Sequence, residues 1–393
     1  MLVGPRRAGK TTVLFQVMDA LKITGVKPEA MLHVNFEEPA FSPKLGIALL
    51  EEIYNSYREN IFPEGKAYLF LDEIQNIDQW EHWVRARNDT ENIKIFITGS
   101  SSRLMSGELG TLLAGRHLSF KVFPLSFKEF LRFEGIALPN QILSVSEKPK
   151  IHHALNKYLK WGGFPEVVLA EEDYRRELLL RQYFDDILFK DVAMRHHIRD
   201  VASLRNLAVH LLTQTGSLIS AQRIAKLFGV SLDLAKAYCS YLQEAFLIGF
   251  VPYYSQKVAE RNRNPQKVYA VDLGLRQVAS LAHSADRGHI IETAVYHVLM
   301  QKMNDGIFYW KQEQEIDFAV RKGNSIQTLV QVFNGSTHTL EEAPRELSAF
   351  EFTMEKFLKA EKIIVASNDV YQSLYKNNKE IKIWPLWDYL IDR

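Results

Sequence analysis

The stretch Gly4-Pro5-Arg6-Arg7-Ala8-Gly9-Lys10-Thr11 fits the pattern G-x-x-x-x-G-K-[ST] at every position. Its glycines let the chain curl until successive N–H groups face a phosphate, and the helix that follows adds the positive end of its dipole. In that reading the residues from Gly4 to Thr12 cradle ATP, Lys10 reaches the β- and γ-phosphates, and the Thr11 hydroxyl binds Mg2+. The competing reading is a glycine-rich turn ahead of a helix, so the flanking sequence decides. A helix is predicted over 12–21, where apolar residues recur at helical spacing. On the other side only Met1-Leu2-Val3 remain, short of a usual strand of ~5 residues. The sequence therefore predicts a truncated first strand and an authentic chain that begins further upstream.

The second half of a phosphate site is an acid at the end of a buried strand, and Ala67-Tyr68-Leu69-Phe70-Leu71-Asp72-Glu73 supplies it. So continuous an apolar run suits a parallel strand covered on both faces. Asp72 is expected in the Mg2+ shell and Glu73 as the carboxylate that polarises the attacking water. A third strand, 93–97, runs into Thr98-Gly99-Ser100-Ser101-Ser102. Ser100 is nominated as a γ-phosphate sensor, although serines before Arg103 also suit a helix N-cap. Arg103 and Arg116 are candidates for an arginine finger or for phosphate-unrelated surface positions. Strand and helix patterns alternate through residue 134: strand 31–35, helix 43–57, strand 67–72, helix 78–88, strand 93–97, helix near 102–113, strand 117–123 and helix 126–134. Alternation of this kind predicts an α/β fold, a parallel sheet with helices on both faces.

The chain has 393 residues, enough for two or three domains at ~150 residues each. Hydrophobic residues make up 47% and charged residues 24%, a globular balance that excludes global disorder. Lys plus Arg number 48 against 47 Asp plus Glu, so a nucleic-acid contact would need a local basic patch. The single cysteine, Cys239, excludes an internal disulfide and a cysteine zinc cluster, and a cytoplasmic setting is expected. No apolar run approaches the ~20 residues of a membrane span, so no membrane partner is expected.

The motifs quoted above, together with Leu113-Ala114-Gly115-Arg116 and Trp161-Gly162-Gly163-Phe164-Pro165-Glu166, resemble the bacterial and archaeal AAA+-type P-loop ATPases that carry a C-terminal domain of unknown function. The resemblance spans nearly the whole chain. It implies an AAA+ core, a helical lid, a winged-helix region and a fold like the PD-(D/E)xK nucleases. The corresponding expected boundaries are 1–135, 136–200, 201–280 and 281–393. AAA+ sites commonly borrow an arginine from a neighbouring subunit, so a homo-oligomer is expected.

Three features of the second half can be read from the residues themselves. In 183–191, Phe184, Ile187 and Leu188 form a buried stripe, which places the acids Asp185, Asp186 and Asp191 on the outer face. Residues 220–238 have the form of two helices around Gly229, with Ser231 capping the second. The strands expected at 249–254 and 267–271 flank Lys257, Arg261, Arg263 and Lys267 against Glu260, a net excess of three positive charges that could meet DNA phosphates. From residue 288 the pattern is helix 288–303, strands 307–311, 315–320 and 326–333, helix 341–360 and strand 363–366. Glu292 and Asp317 fall where a nuclease-like site needs carboxylates, but Gln331 and Phe333 stand where its third acid and its lysine should be. Nuclease activity is therefore not expected. The functional expectation is a Mg2+-dependent ATPase switch acting on DNA or a protein partner. The alternative is a non-catalytic module that holds ATP and binds DNA or protein.

Overall fold

The structure is a computed structural model. It describes residues 1–105, 117–139, 143–280, 287–302, 306–334, 344–353, 356–367, 369, 371–376 and 379–391. Contacts divide the chain into two compact units, 1–123 with 244–246, and 124–243 with 247–393.

The first unit is built on five strands: β1 (Leu2–Val3), β2 (Met31–Asn35), β3 (Ala67–Asp72), β4 (Ile93–Gly99) and β5 (Phe120–Lys121). They lie in the order β2-β3-β4-β1-β5, and every pairing is parallel. This is the P-loop NTPase arrangement, with β4 inserted between the loop strand β1 and the acidic strand β3. The helices Lys10–Ile23, Ile47–Asn60 and Trp80–Thr90 make the crossovers that parallel strands require. Leu14 of the first helix packs on Met31 and Phe70, and the Phe70 and Phe96 rings stack at 4.8 Å. β3 is buried almost throughout, as its apolar run demands. Only two residues of β1 pair with its neighbours, Leu2 and Val3 against Thr98 and Gly99.

The second unit begins with the helix Phe127–Phe133, which carries a capping box between Ser126 and Glu129. Its apolar face, Phe127, Phe130 and Leu131, packs with Tyr158 of the helix Glu147–Trp161. After Pro165–Leu169 comes the helix Asp173–Asp186, which widens into a π-helical turn over Ile187–Met194. That wider turn changes the phase of the apolar stripe. Asp185 is exposed as expected and pairs with Arg205, whereas Asp186 is only 17% exposed beside Lys190. Asp191 is buried, with Arg195 at 3.3 Å. The spacing argument misplaced it because it assumed 3.6 residues per turn.

The helix Val201–Thr213 precedes a three-stranded antiparallel sheet of β6 (Leu218–Ile219), β7 (Ile248–Val251) and β8 (Gln266–Ala270), in the order β6-β8-β7. Between β6 and β7 lie the helices Ala221–Phe228 and Leu232–Glu244. They are separated by Gly229 at φ 64°, and the Ser231 hydroxyl accepts the Leu234 N–H at 3.1 Å. Between β7 and β8 a short helix, Val258–Arg263, stands where the sequence suggested open loop.

A six-stranded mixed sheet follows: β9 (Ile307–Lys311), β10 (Glu315–Lys322), β11 (Ser325–Phe333), β12 (Glu361–Ala366), β13 (Gln372–Lys376) and β14 (Lys379–Pro385), in the order β13-β14-β12-β11-β10-β9. The helix Arg287–Lys302 shares its core, as do Trp387 and Leu390 of the final helix Leu386–Ile391. β13, β14 and this last helix carry no motif and were not anticipated.

Candidate functional site

The loop leaves β1 through Gly4, where an added Cβ would lie 1.9 Å from the Val122 carbonyl oxygen. Glycine is thus required for the loop strand to approach the segment after β5. The turn closes at Gly9, at φ 97°, a conformation side-chain-bearing residues rarely adopt. The helix Lys10–Ile23 then starts with no side-chain cap and no acid in its first turn. Its leading N–H groups and positive dipole end therefore face the loop with no side-chain cap of their own, which suits a phosphate.

Lys10 is buried, with Nζ 3.1 Å from the Pro5 carbonyl oxygen and 3.2 Å from Glu73 Oε1. The Thr11 hydroxyl donates to Asp72 Oδ2 at 2.7 Å. The structure thus brings Lys10, Thr11, Asp72 and Glu73 together at the ends of β1 and β3. Burial alone would push the Asp72 carboxyl up, but His33, Thr98 and Thr11 together outweigh it and hold the group below the usual carboxylate range. Asp72 therefore stays anionic near neutral pH. Thr11 and Asp72, with oxygens converging at hydrogen-bond distance, are a donor pair suited to one Mg2+.

Glu73 sits in the left-handed region at φ 53° and ψ 45°, a conformation costly for a residue with a side chain and concentrated at functional positions. Its N–H donates to the Thr98 hydroxyl at 3.0 Å, and its Oε2 accepts from Gln75 Nε2 at 2.5 Å. Thr98 also donates to Asp72 Oδ1. One threonine at the end of β4 therefore fixes both acids. Ser100, nominated from sequence, is buried nearby, with Gln75 Nε2 at 3.4 Å from its Oγ. Arg6 pairs with Glu37 beside the loop. Arg116 lies outside the described residues, as does most of the segment expected to be helix near 102–113.

Three residues of this cluster were not singled out by sequence reasoning. Thr98 belongs to the Thr98-Gly99-Ser100 run, and only the register of β4 reveals that its hydroxyl reaches Asp72. Gln75 closes the run Leu71-Asp72-Glu73-Ile74-Gln75 that carries the family resemblance, but the sequence assigns it no role. His33 lies on β2, which aligns Asn35 with Asp72, and its Nε2 stands 3.9 Å from Asp72 Oδ2 with no hydrogen-bond partner. An apolar hollow of about 600 Å3, lined by Leu2, Leu14, Val84, Ile95, Ile97 and Leu118, includes none of the four motif residues.

In the second unit, Gly162 and Gly163 receive a structural explanation. Gly162 adopts φ 73°, and the N–H of Gly163 donates to Asp272 Oδ2 at 2.8 Å. The same carboxylate caps the helix Leu273–Ala279 by accepting the Leu275 N–H at 3.1 Å.

The parallel five-stranded sheet and the loop between β1 and its helix define a P-loop nucleoside triphosphatase fold. A profile of an AAA domain matches residues 1–131, and one of a domain of unknown function matches 152–286. An uncharacterized protein of Methanocaldococcus jannaschii is 32% identical over 404 residues, covering 99% of this chain and 87% of its own. An uncharacterized protein of Haemophilus influenzae is 30% identical over 331 residues, covering 83% and 80%. The chain belongs to this family of AAA-type P-loop ATPases with a C-terminal domain of unknown function. Among solved structures, the Aeropyrum pernix ORC1 protein in complex with DNA aligns with 71% of this chain and 85% of its own, at 16% identity and a TM-score of 0.32. Among the described residues no helix is long and apolar enough to cross a membrane.

Proposed function

We propose that the protein is a Mg2+-dependent ATPase. The observation that carries this reading is the convergence of Lys10, Thr11, Asp72 and Glu73 in one buried cluster beside an uncapped helix N-terminus. Residues Gly4 to Thr12 hold the triphosphate through backbone N–H groups and the Lys10 ammonium, with Thr11 and Asp72 as the Mg2+ ligands. Bound there, Mg2+ supplies neutralisation of charge on the β- and γ-oxygens. Glu73, fixed by Thr98 and Gln75, orients the attacking water and takes its proton. Ser100 senses the γ-phosphate, and Arg116 is the candidate finger, acting within one chain or across a homo-oligomer.

The second unit is read as the part that contacts a macromolecule. Its two helices around Gly229 with the β6-β8-β7 sheet suit a winged helix, and the six-stranded sheet suits a nuclease-like scaffold. DNA is the favoured partner because exposed Lys257 shares a cleft of about 600 Å3 with Lys356, Lys359, Tyr253 and Tyr254. The local charge is smaller than the sequence suggested, because Lys267 is buried away from the loop. Lys257, Arg261 and Arg263 against Glu260 leave an excess of two.

The test is Mg2+-dependent ATP turnover by the full chain and by Lys10→Ala, with and without duplex DNA. Turnover lost in Lys10→Ala supports the ATPase, and stimulation by DNA supports the partner. Retained ATP binding without turnover would replace the enzyme with a non-catalytic ATP-holding module.

A further inference from the structure

The six-stranded sheet carries a second polar cluster that ATP hydrolysis does not use. Glu292 comes from the helix Arg287–Lys302, while Glu315 and Asp317 stand two residues apart on β10 and so share a face. The neighbouring strand β11 presents Gln331 and Phe333, neither of which brings a charge. A cation is nonetheless present. Lys267, from the central strand of the three-stranded sheet, places Nζ 2.9 Å from Glu292 Oε1, 2.8 Å from Glu315 Oε1 and 2.9 Å from Asp317 Oδ1. Its side chain is 2% exposed.

The carboxylates are held from behind as ligands usually are. The Tyr269 hydroxyl donates to Glu292 Oε1 at 2.6 Å, and the Val332 N–H donates to Asp317 Oδ2 at 2.9 Å. Gln331 is turned to accept the Asp317 N–H at 3.2 Å. Burial pushes Glu292 up to about 7, with Asp317 adding to the rise, while burial of Lys267 is outweighed by the carboxylates, which hold its ammonium charged. The cluster opens on a cavity of about 610 Å3 that His289 and Asn334 also line. Among the described residues no group of His, Cys, Asp or Glu is arranged to hold a metal ion.

We propose that the cation held by Glu292, Glu315 and Asp317 is the chain's own Lys267 ammonium, which keeps a divalent metal away from these carboxylates. One side chain from β8 fills the place that Mg2+ or Mn2+ would take among these carboxylates and ties the three-stranded sheet to the six-stranded one. The geometry suits this because three oxygens from three carboxylates already converge on a single point. An ammonium satisfies them with three N–H donors and one positive charge. It also closes the site to metal-dependent phosphodiester cleavage, since no ion can share that point.

The experiment titrates Mn2+ into nucleotide-free full-length protein and reads free Mn2+ by electron paramagnetic resonance. Wild type, Asp317→Asn, Lys267→Met and Lys267→Met/Asp317→Asn are compared. Wild type and Asp317→Asn should bind the same number of ions. Lys267→Met should gain one ion, at least roughly tenfold tighter than any that wild type holds here, and lose it in the double variant. An ion in wild type that Asp317→Asn removes would overturn the proposal, showing that metal and lysine coexist. So would a folded Lys267→Met with no gain, which would reduce the cluster to an ion-pair network. Should Lys267→Met fail to fold by circular dichroism, Lys267→Gln takes its place, and the wild-type comparison with Asp317→Asn decides independently.

Discussion

Lys10 Nζ lies 3.2 Å from Glu73 Oε1, so the loop lysine and the acid at the end of β3 form a buried ion pair. In the proposed ATPase an arriving triphosphate would compete for that ammonium and free the carboxylate to act on water. Glu73→Gln keeps a hydrogen-bond acceptor toward Lys10 but cannot take a proton. ATP binding should persist in this variant while kcat falls about 100-fold or more. Equilibrium binding of a fluorescent ATP analogue beside steady-state turnover reads both quantities. A variant that turns over ATP at the wild-type rate would remove Glu73 from the reaction.

Thr98 should matter more to turnover than Ser100. Its hydroxyl donates to Asp72 and accepts the Glu73 N–H, so Thr98→Val leaves a buried N–H and a carboxylate oxygen each without that partner. The expected loss is about 1–3 kcal/mol of support for the site, seen as a fall in kcat of roughly tenfold or more. Ser100→Ala should cost less. The reverse order of effects would show that the Thr98 brace is not what limits turnover.

Gly162→Ala should destabilise the second unit. The residue holds φ 73°, and an added Cβ would fall 2.2 Å from Asp272 Oδ1. Strain and overpacking together are expected to cost about 2–4 kcal/mol. Because the clash is with one side chain, Gly162→Ala and Asp272→Ala should be non-additive in a double-mutant cycle followed by urea denaturation. Strict additivity would show that the carboxylate is not what the glycine makes room for.

The stability of the second unit should carry a signature of His297. Burial pushes this imidazole down to about 4, and its Nε2 lies 2.8 Å from the Ala270 carbonyl oxygen. Between the ordinary histidine value of ~6.5 and 4 the unfolded chain binds a proton that the folded chain does not. This contribution is therefore full above pH 6.5 and is lost as pH falls toward 4, by roughly 3 kcal/mol in total. Urea midpoints of wild type should fall faster over that window than those of His297→Gln. Parallel pH profiles would show that His297 titrates normally.

Much of the nucleotide site was legible because its chemistry is local. Eight consecutive residues make the phosphate loop, and two consecutive acids end a strand whose unbroken apolar run marks it as buried. A helix start was equally readable at Ser231, whose hydroxyl accepts the N–H of Leu234 three residues on. Spacing failed where geometry departed from the regular helix, as at Asp191 in the π-helical turn. It failed again at Lys267, which was counted among exposed loop cations although the side chain turns inward to meet three carboxylates.

By itself the sequence determined the parallel α/β core, the loop that suits a triphosphate and the absence of an acid and a lysine from β11, since each follows from neighbours along the chain. Only the tertiary structure decided that Thr98 braces both acids, that Gly162 and Gly163 make room for Asp272, and that Lys267 brings a positive charge to Glu292, Glu315 and Asp317. Those partners lie 25, 109 and 50 positions apart in the bonds Thr98–Glu73, Gly163–Asp272 and Lys267–Asp317. No periodicity spans such distances. The contacts exist because strand register and sheet packing bring these side chains to one point.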